Sequence, residues 1–258
     1  FSSRFLIPFF KKEGFILHTV ISNKGINANR VADKYKFSYV SSNFDDALKD
    51  KSINNIVIST PHYLHSDQLV KALLYKKKNI YIDKPLAINR TQLDEIIKVK
   101  SQLDYNPNII IGFNRKFSPL IVYLKNRLDE INTPKFINMN INAGFIDHDH
   151  WINDKSIGGG RLIGEGCHFI DLSFFLINSE LINSEILGFD VSKKVKEESF
   201  IINLSFKDGS IVNINYLSNG SKSFMKEKID IYANGSNYII EDFKRLRVYG
   251  DKSIKDKK

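Results

Sequence analysis

The chain has one cysteine, Cys167, in 258 residues, so no disulfide can form within it and a packed core alone must hold the fold. At this length that suffices, since roughly three-quarters of the unfolded surface can be buried. No apolar run reaches the ~18 residues of a membrane-spanning helix. The first residues show no charged segment, apolar stretch and small-residue cleavage site in succession. The expectation is a cytoplasmic protein with no membrane partner. Zinc spacing is absent too: His148, Asp149 and His150, just before Trp151, fit no structural zinc pattern, and no metal is expected.

Acidic residues are in the minority, 29 against 38 basic, and the net charge of +9 raises the question of nucleic acid. The distribution argues against it. Local lysine clusters occur only at Lys76–Lys78, at Lys193–Lys196 in an expected hairpin, and in the last residues up to Lys258, where Asp256 interrupts. The lysines read as solvated faces, and no nucleic-acid partner is expected; a moderate attraction for anionic substrates remains.

The most informative stretch is Ile80-Tyr81-Ile82-Asp83-Lys84-Pro85-Leu86, where an apolar strand ends on an acid, a lysine and a proline. Ligands of open parallel sheets bind beyond the carboxyl ends of the strands, and Pro85 stops ladder pairing there. Upstream, 55–59 reads as a buried strand running into Thr60, Pro61 and His62. A helix follows, with Leu69, Val70, Ala72, Leu73 and Leu74 on its apolar stripe. Strand, helix and strand over 55–82 have the length of a parallel crossover. A second amphipathic helix, with Leu93, Ile96, Ile97 and Val99, leads to a buried strand at 109–111. This alternation predicts a doubly wound parallel sheet.

The sheet is expected to be incomplete. A dinucleotide-binding sheet opens with a strand and a glycine-rich turn that lets backbone approach a pyrophosphate, and this chain contains no G-x-G-x-x-G. Residues 1–12 read instead as a first helix, with Phe5, Leu6, Phe9 and Phe10 on its apolar side, followed by a strand over 15–21. The expectation is an amino-terminally truncated domain without its central first strand. The strand at 15–21 ends in Ser22, Asn23 and Lys24, with Arg30 following, and not in the acid that favours NAD; NAD and NADP both stay open.

Beyond Gly112 the texture changes. A helix is predicted over 120–128 and another over 168–176. Strand-like runs are predicted at 136–143, 185–190, 200–206, 211–217, 229–232, 238–240 and 246–249, several joined by tight turns such as Lys207-Asp208-Gly209-Ser210. The fold class expected is α/β: an incomplete Rossmann-type sheet in a domain over 1–112, then an α+β domain over 113–258 with a largely antiparallel open sheet.

Four segments carry a resemblance. Thr60-Pro61-His62 with His65, Asp83-Lys84-Pro85-Leu86, Gly112-Phe113-Asn114-Arg115, and Gly158-Gly159-Gly160-Arg161 through Gly164-Glu165-Gly166-Cys167-His168 to Asp171 together resemble the Gfo/Idh/MocA oxidoreductases, in that family's order and spacing. Gly-Phe-Asn-Arg and Gly-Glu-x-Cys-His resemble the branch in which the module is one part of a two-part, bi-domain oxidoreductase. The resemblance implies an enzyme that moves a hydride between NAD or NADP and a secondary alcohol of a sugar, sugar nucleotide or cyclitol.

It also implies roles. Lys84 and His168 would handle the hydroxyl proton, with Glu165 and Asp171 orienting them. Ser22, Asn23, Thr60, Pro61, His62, His65, Asp83, Lys84, Pro85 and Asn114 would line the cofactor. Arg115, Trp151 and Arg161 would meet the substrate. Two departures stand out. Asp83 occupies a position usually held by glutamate. Gly164 stands where the family usually has an aspartate, so either Glu165 supplies that carboxylate or the relay differs. The second departure keeps an alternative open: a non-catalytic NAD(P)-binding or regulatory subunit. Members of the family pair subunits through the open face of the second sheet, so a homo-oligomer is expected.

Overall fold

The computed structural model describes residues 2–23, 25–189 and 198–257. Lys24, the Lys193–Lys196 cluster and Lys258 therefore lie outside the described residues. The chain divides into two compact units, 1–111 and 112–258.

In the first unit a π-helical turn, Ser2–Leu6, leads into α1 (Ile7–Lys12); β1 (Thr19–Ile21), α2 (Gly25–Tyr35), β2 (Tyr39–Ser41) and α3 (Phe44–Lys49) follow. Then come β3 (Asn55–Ile58), α4 (His65–Leu74), β4 (Asn79–Ile82), α5 (Arg90–Ser101) and β5 (Asn108–Ile111). All five strands pair in parallel, in two separate ladders, β1-β2 and β3-β4-β5, with no hydrogen-bonded ladder joining them among the described residues. The strand period of two explains the core: Ile56, Ile58, Ile80 and Ile82 turn one way and pack with Leu69, Leu73 and Ile96. Each such side chain contributes about 1.5–3 kcal/mol on burial. Asparagines fix two helix starts, Asn43 accepting from the Asp45 amide and Asn89 from that of Gln92.

Two expectations need correcting, and two elements went unanticipated. The strand anticipated over 15–21 is only Thr19–Ile21. Phe5 and Phe9 are exposed and do not form a buried stripe, because the first turn is π-helical and α1 lasts only six residues. The elements β2 and α3 had no counterpart in the sequence reading.

The second unit contains α6 (Pro119–Asp129), β6 (Phe136–Asn142), α7 (Cys167–Ile177), β7 (Leu181–Phe189), β8 (Ser199–Phe206), β9 (Ile211–Leu217), β10 (Glu227–Ala233), β11 (Ser236–Glu241) and β12 (Arg245–Tyr249). Its seven strands lie in the order β12-β11-β10-β6-β9-β8-β7, antiparallel throughout except for β6 beside β9. One face is aliphatic: Ile137, Met139, Ile141, Val212, Ile214, Ile202 and Leu204 pack against Ile121, Leu124 and Leu128 of α6 and against Phe169, Leu172 and Leu176 of α7. The other face carries asparagines in register across three strands. Asn213 donates to Asn203, and Asn215 donates to Asn138, Asn140 and Asn213. In the tight turn after β10, Asn234 and Gly235 both take positive φ, as a two-residue hairpin requires.

Candidate active site

In the first unit the site begins where parallel strands stop. Ile58 and Ile82 are register partners, and the Asp83 amide donates to the Ile58 carbonyl at 2.9 Å, so Thr60 and Lys84 follow at the same sheet edge. Lys84 is half-buried and is joined to Pro85 by a cis peptide bond. Asp83 accepts a hydrogen bond from the Tyr81 hydroxyl at 2.9 Å. Burial pushes the Asp83 carboxyl up, opposed by the Tyr81 hydroxyl and by the charges of His65 and Lys84. Thr60 donates to Gln68 at 2.7 Å, tying the turn after β3 to α4. Pro61 is exposed, His62 is buried, and Ser22 with Asn23 follows β1, where the Ser22 amide donates to the Ser41 carbonyl.

His65 corrects the expectation of a direct cofactor contact. It is 0% exposed, with Nδ1 2.7 Å from the Pro85 carbonyl oxygen and Nε2 2.8 Å from that of Thr60. Both ring nitrogens are thus committed inside the unit.

In the second unit a π-helical turn, Leu162–Gly166, feeds directly into α7 and presents Glu165 and then His168. Such turns within helices concentrate at functional sites. His168 is buried and meets the edge of Phe113, with ring centroids 6.1 Å apart. Asp171, one turn on, accepts from Lys116 at 3.0 Å. Glu165 accepts from the hydroxyl of Tyr216, which reaches it from β9. Tyr216 stacks flat on Phe200, 4.6 Å between centroids.

Both arginines have internal partners. Arg161, 4% exposed, donates from Nε to the Tyr216 hydroxyl at 3.1 Å and from Nη1 to the Gly144 carbonyl at 3.0 Å. Burial pushes its pKa down, opposed by Glu165 and Glu198. Arg115 pairs with Glu227 and lies over the Phe169 ring. Trp151, by contrast, is exposed, tilted against His150, and Asn114 is exposed. The sequence reading missed Tyr216; an inward tyrosine between Asn215 and Leu217 looks like any core residue, and only its pairing with Glu165 sets it apart.

Two family models match this chain: an oxidoreductase family with an NAD-binding Rossmann fold over residues 1–105, and the same family's C-terminal alpha/beta domain over 125–255. The chain belongs to the Gfo/Idh/MocA oxidoreductase family. Its amino-terminal unit is the family's NAD-binding Rossmann-type unit, and the second unit is its α/β partner.

In sequence the chain is similar to an uncharacterized oxidoreductase, YrbE, of Bacillus subtilis, with 24% identity over 199 residues, 73% of this chain and 57% of that protein. It is also similar to a trans-1,2-dihydrobenzene-1,2-diol dehydrogenase of Xenopus tropicalis, with 26% identity over 155 residues, 59% of this chain and 46% of that protein. The chain thus spans about half the length of these relatives. In fold it resembles an NAD-binding oxidoreductase from Klebsiella pneumoniae (TM-score 0.82, 18% identity, covering 100% of this chain and 74% of the other). A levoglucosan dehydrogenase in complex with NADH is equally similar (TM-score 0.82, 16% identity, 100% and 76%).

Proposed function

We propose that the protein transfers a hydride between NAD or NADP and a secondary alcohol of a sugar-like molecule. The observation that carries this reading is Lys84, a half-buried lysine at the carboxyl end of β4 in a chain of this family. The residues present suit a nicotinamide cofactor: Ser22 and Asn23 after β1, Thr60 to His62 after β3, and Asp83 to Pro85 after β4 all follow strand ends of parallel ladders, where such ligands bind. Asn114 belongs to the same proposed lining.

The nicotinamide, when bound, accepts or supplies the hydride. Lys84 Nζ holds the substrate hydroxyl and takes or returns its proton with the His168 imidazole. Glu165, fixed by Tyr216, orients His168, and Asp171 is held in place by Lys116. Trp151 offers an exposed aromatic face for a sugar ring. Arg115 and Arg161, held by internal partners, remain proposed substrate residues. In this reading the cofactor domain covers 1–112 and the substrate domain 113–258. The sugar-type substrate is supported by the levoglucosan dehydrogenase likeness in fold.

A second reading, a non-catalytic NAD(P)-binding or regulatory subunit, is favoured by Gly164 standing where a carboxylate is usual. A panel of sugars, sugar nucleotides and cyclitols, assayed on the complete protein with NAD and with NADP, separates the two. Cofactor-dependent turnover of any member supports the enzyme; cofactor binding with no turnover across the panel supports the subunit.

The open face of the seven-stranded sheet is proposed to pair two copies of the chain. Phe136, Tyr232 and Ile211, neighbours across β10, β6 and β9, are exposed on it beside the asparagine ladder. Light scattering at micromolar concentration tests this, and a monomer would overturn it. No helix among the described residues is long and apolar enough to cross a membrane.

A further inference from the structure

His65 opens α4 with no exposed surface, and its ring is wedged between two backbone carbonyls. The Pro85 oxygen lies 2.7 Å from Nδ1 and the Thr60 oxygen 2.8 Å from Nε2. Neither oxygen has a hydrogen to give. A neutral imidazole has one N–H and one bare nitrogen, so one of these contacts would set lone pair against lone pair at hydrogen-bond distance. Turning the ring over does not relieve this, because carbon would then face the oxygens, and C–H···O contacts lie at about 3.3–3.6 Å. Two donors at these distances require the imidazolium.

We propose that His65 is held as a doubly donating imidazolium that clamps the turn after β3 to the segment after β4 and thereby positions Lys84. Lys84 is bracketed by two backbone anchors. On one side the Asp83 amide is bonded to the Ile58 carbonyl, and on the other the Pro85 carbonyl accepts from His65. The buried charge needs an opposite partner. Burial raises the Asp83 carboxyl and the charges of His65 and Lys84 oppose that rise, so a charged His65 and an ionised Asp83 favour each other. His62 is a further ionisable neighbour, its ring centroid 5.8 Å from that of His65. Lys84 and His62 work against a second positive charge here, and the two carbonyl dipoles with the Asp83 carboxylate work for it.

The positioning of Lys84 for chemistry rests on the proposed function; the charge state of His65 does not. The experiment therefore has three readouts. In protein labelled with ¹⁵N-histidine, both His65 nitrogens are expected to show one-bond N–H splittings near neutral pH, with assignment by their loss in His65→Gln. A single N–H overturns the clamp. Hydrogen exchange at the Asp83 amide is expected to speed up by about tenfold or more in His65→Gln, which keeps an amide donor for one carbonyl only. Unchanged exchange overturns the anchoring.

The third readout is turnover: kcat is expected to fall about 10- to 100-fold in His65→Gln, more than the cofactor KM rises. A wild-type kcat would show that Lys84 is not positioned this way. If the wild-type protein turns over no substrate, the proposed function fails, while the nuclear-resonance and exchange results still decide the clamp. If His65→Gln does not fold, through-bond correlation of the ring to the His65 backbone replaces the variant in the assignment, and the wild-type splittings still decide the charge state.

Discussion

The hydroxyl of Tyr216, on a central strand of the second unit, donates to the carboxylate of Glu165 on the turn that begins α7. The same hydroxyl accepts from Nε of the buried Arg161, 3.1 Å away, so one oxygen links strand, turn and arginine. A carboxylate with a fixed hydroxyl donor has a defined direction. On the proposed function, Glu165 is the carboxylate that would take the place of the one usual at the Gly164 position.

Tyr216→Phe should therefore uncouple Glu165 from the sheet with little change in packed volume. The loss of two charge-assisted hydrogen bonds, with the buried Arg161 Nε left unpaired, predicts a destabilisation of about 2–4 kcal/mol, read by urea unfolding. A double-mutant cycle with Glu165→Gln should return a coupling of about 1 kcal/mol. Strict additivity of the two single changes would show that the pair does not interact.

Gly166→Ala tests the packing behind the same turn. A β-carbon at Gly166 would lie 2.9 Å from Cζ and 3.1 Å from Cε2 of Phe200, a ring that cannot retreat because it is stacked on Tyr216. Overpacking of this kind costs about 1–3 kcal/mol. The expected result is a lowered unfolding midpoint together with changed near-ultraviolet tyrosine dichroism. An alanine variant as stable as the wild type would contradict the stacked arrangement.

Acid should weaken the anchoring of the carboxyl-terminal segment of the second unit. Burial would raise the Asp251 carboxyl, but hydrogen bonds from Arg127, Tyr238 and Ser253 outweigh it and hold the group well below the usual carboxylate range. A carboxyl depressed in the folded state adds stability that is fully present above its unfolded pKa, about 3.9, and is lost as pH falls through the folded value. Unfolding curves between pH 5 and pH 2 should show an acid-labile component of stability that shrinks in Asp251→Asn. At neutral pH, Asp251→Ala should cost about 2–4 kcal/mol, since Arg127 and Tyr238 lose their shared partner.

Much of this was legible in the sequence where local pattern and burial agree. Ile80 to Ile82 alternate into the core and Pro85 ends the ladder, so β4 and the lysine after it could be read directly. Asparagines alternating with aliphatics marked β6 and β9, and a run from His168 to Leu176 marked α7. What failed to show were features made by distant partners. Tyr39–Ser41 is three residues long and largely exposed, too short for a period, yet it pairs along all of β1. His65 looked like a ligand because nothing local shows that the Thr60 and Pro85 carbonyls close on it. The acceptors of Arg161, Gly144 and Tyr216, lie 17 and 55 positions away and leave no local trace.

The central claim is that Lys84 Nζ handles the proton while the nicotinamide handles the hydride. It is tested most directly by rapid-mixing measurements of nicotinamide absorbance on the complete protein and on Lys84→Met, with whichever polyol the panel identifies. Cofactor affinity is predicted to stay within about threefold, and the hydride-transfer rate to fall by about 100-fold or more. A Lys84→Met protein that transfers hydride at the wild-type rate would contradict the account.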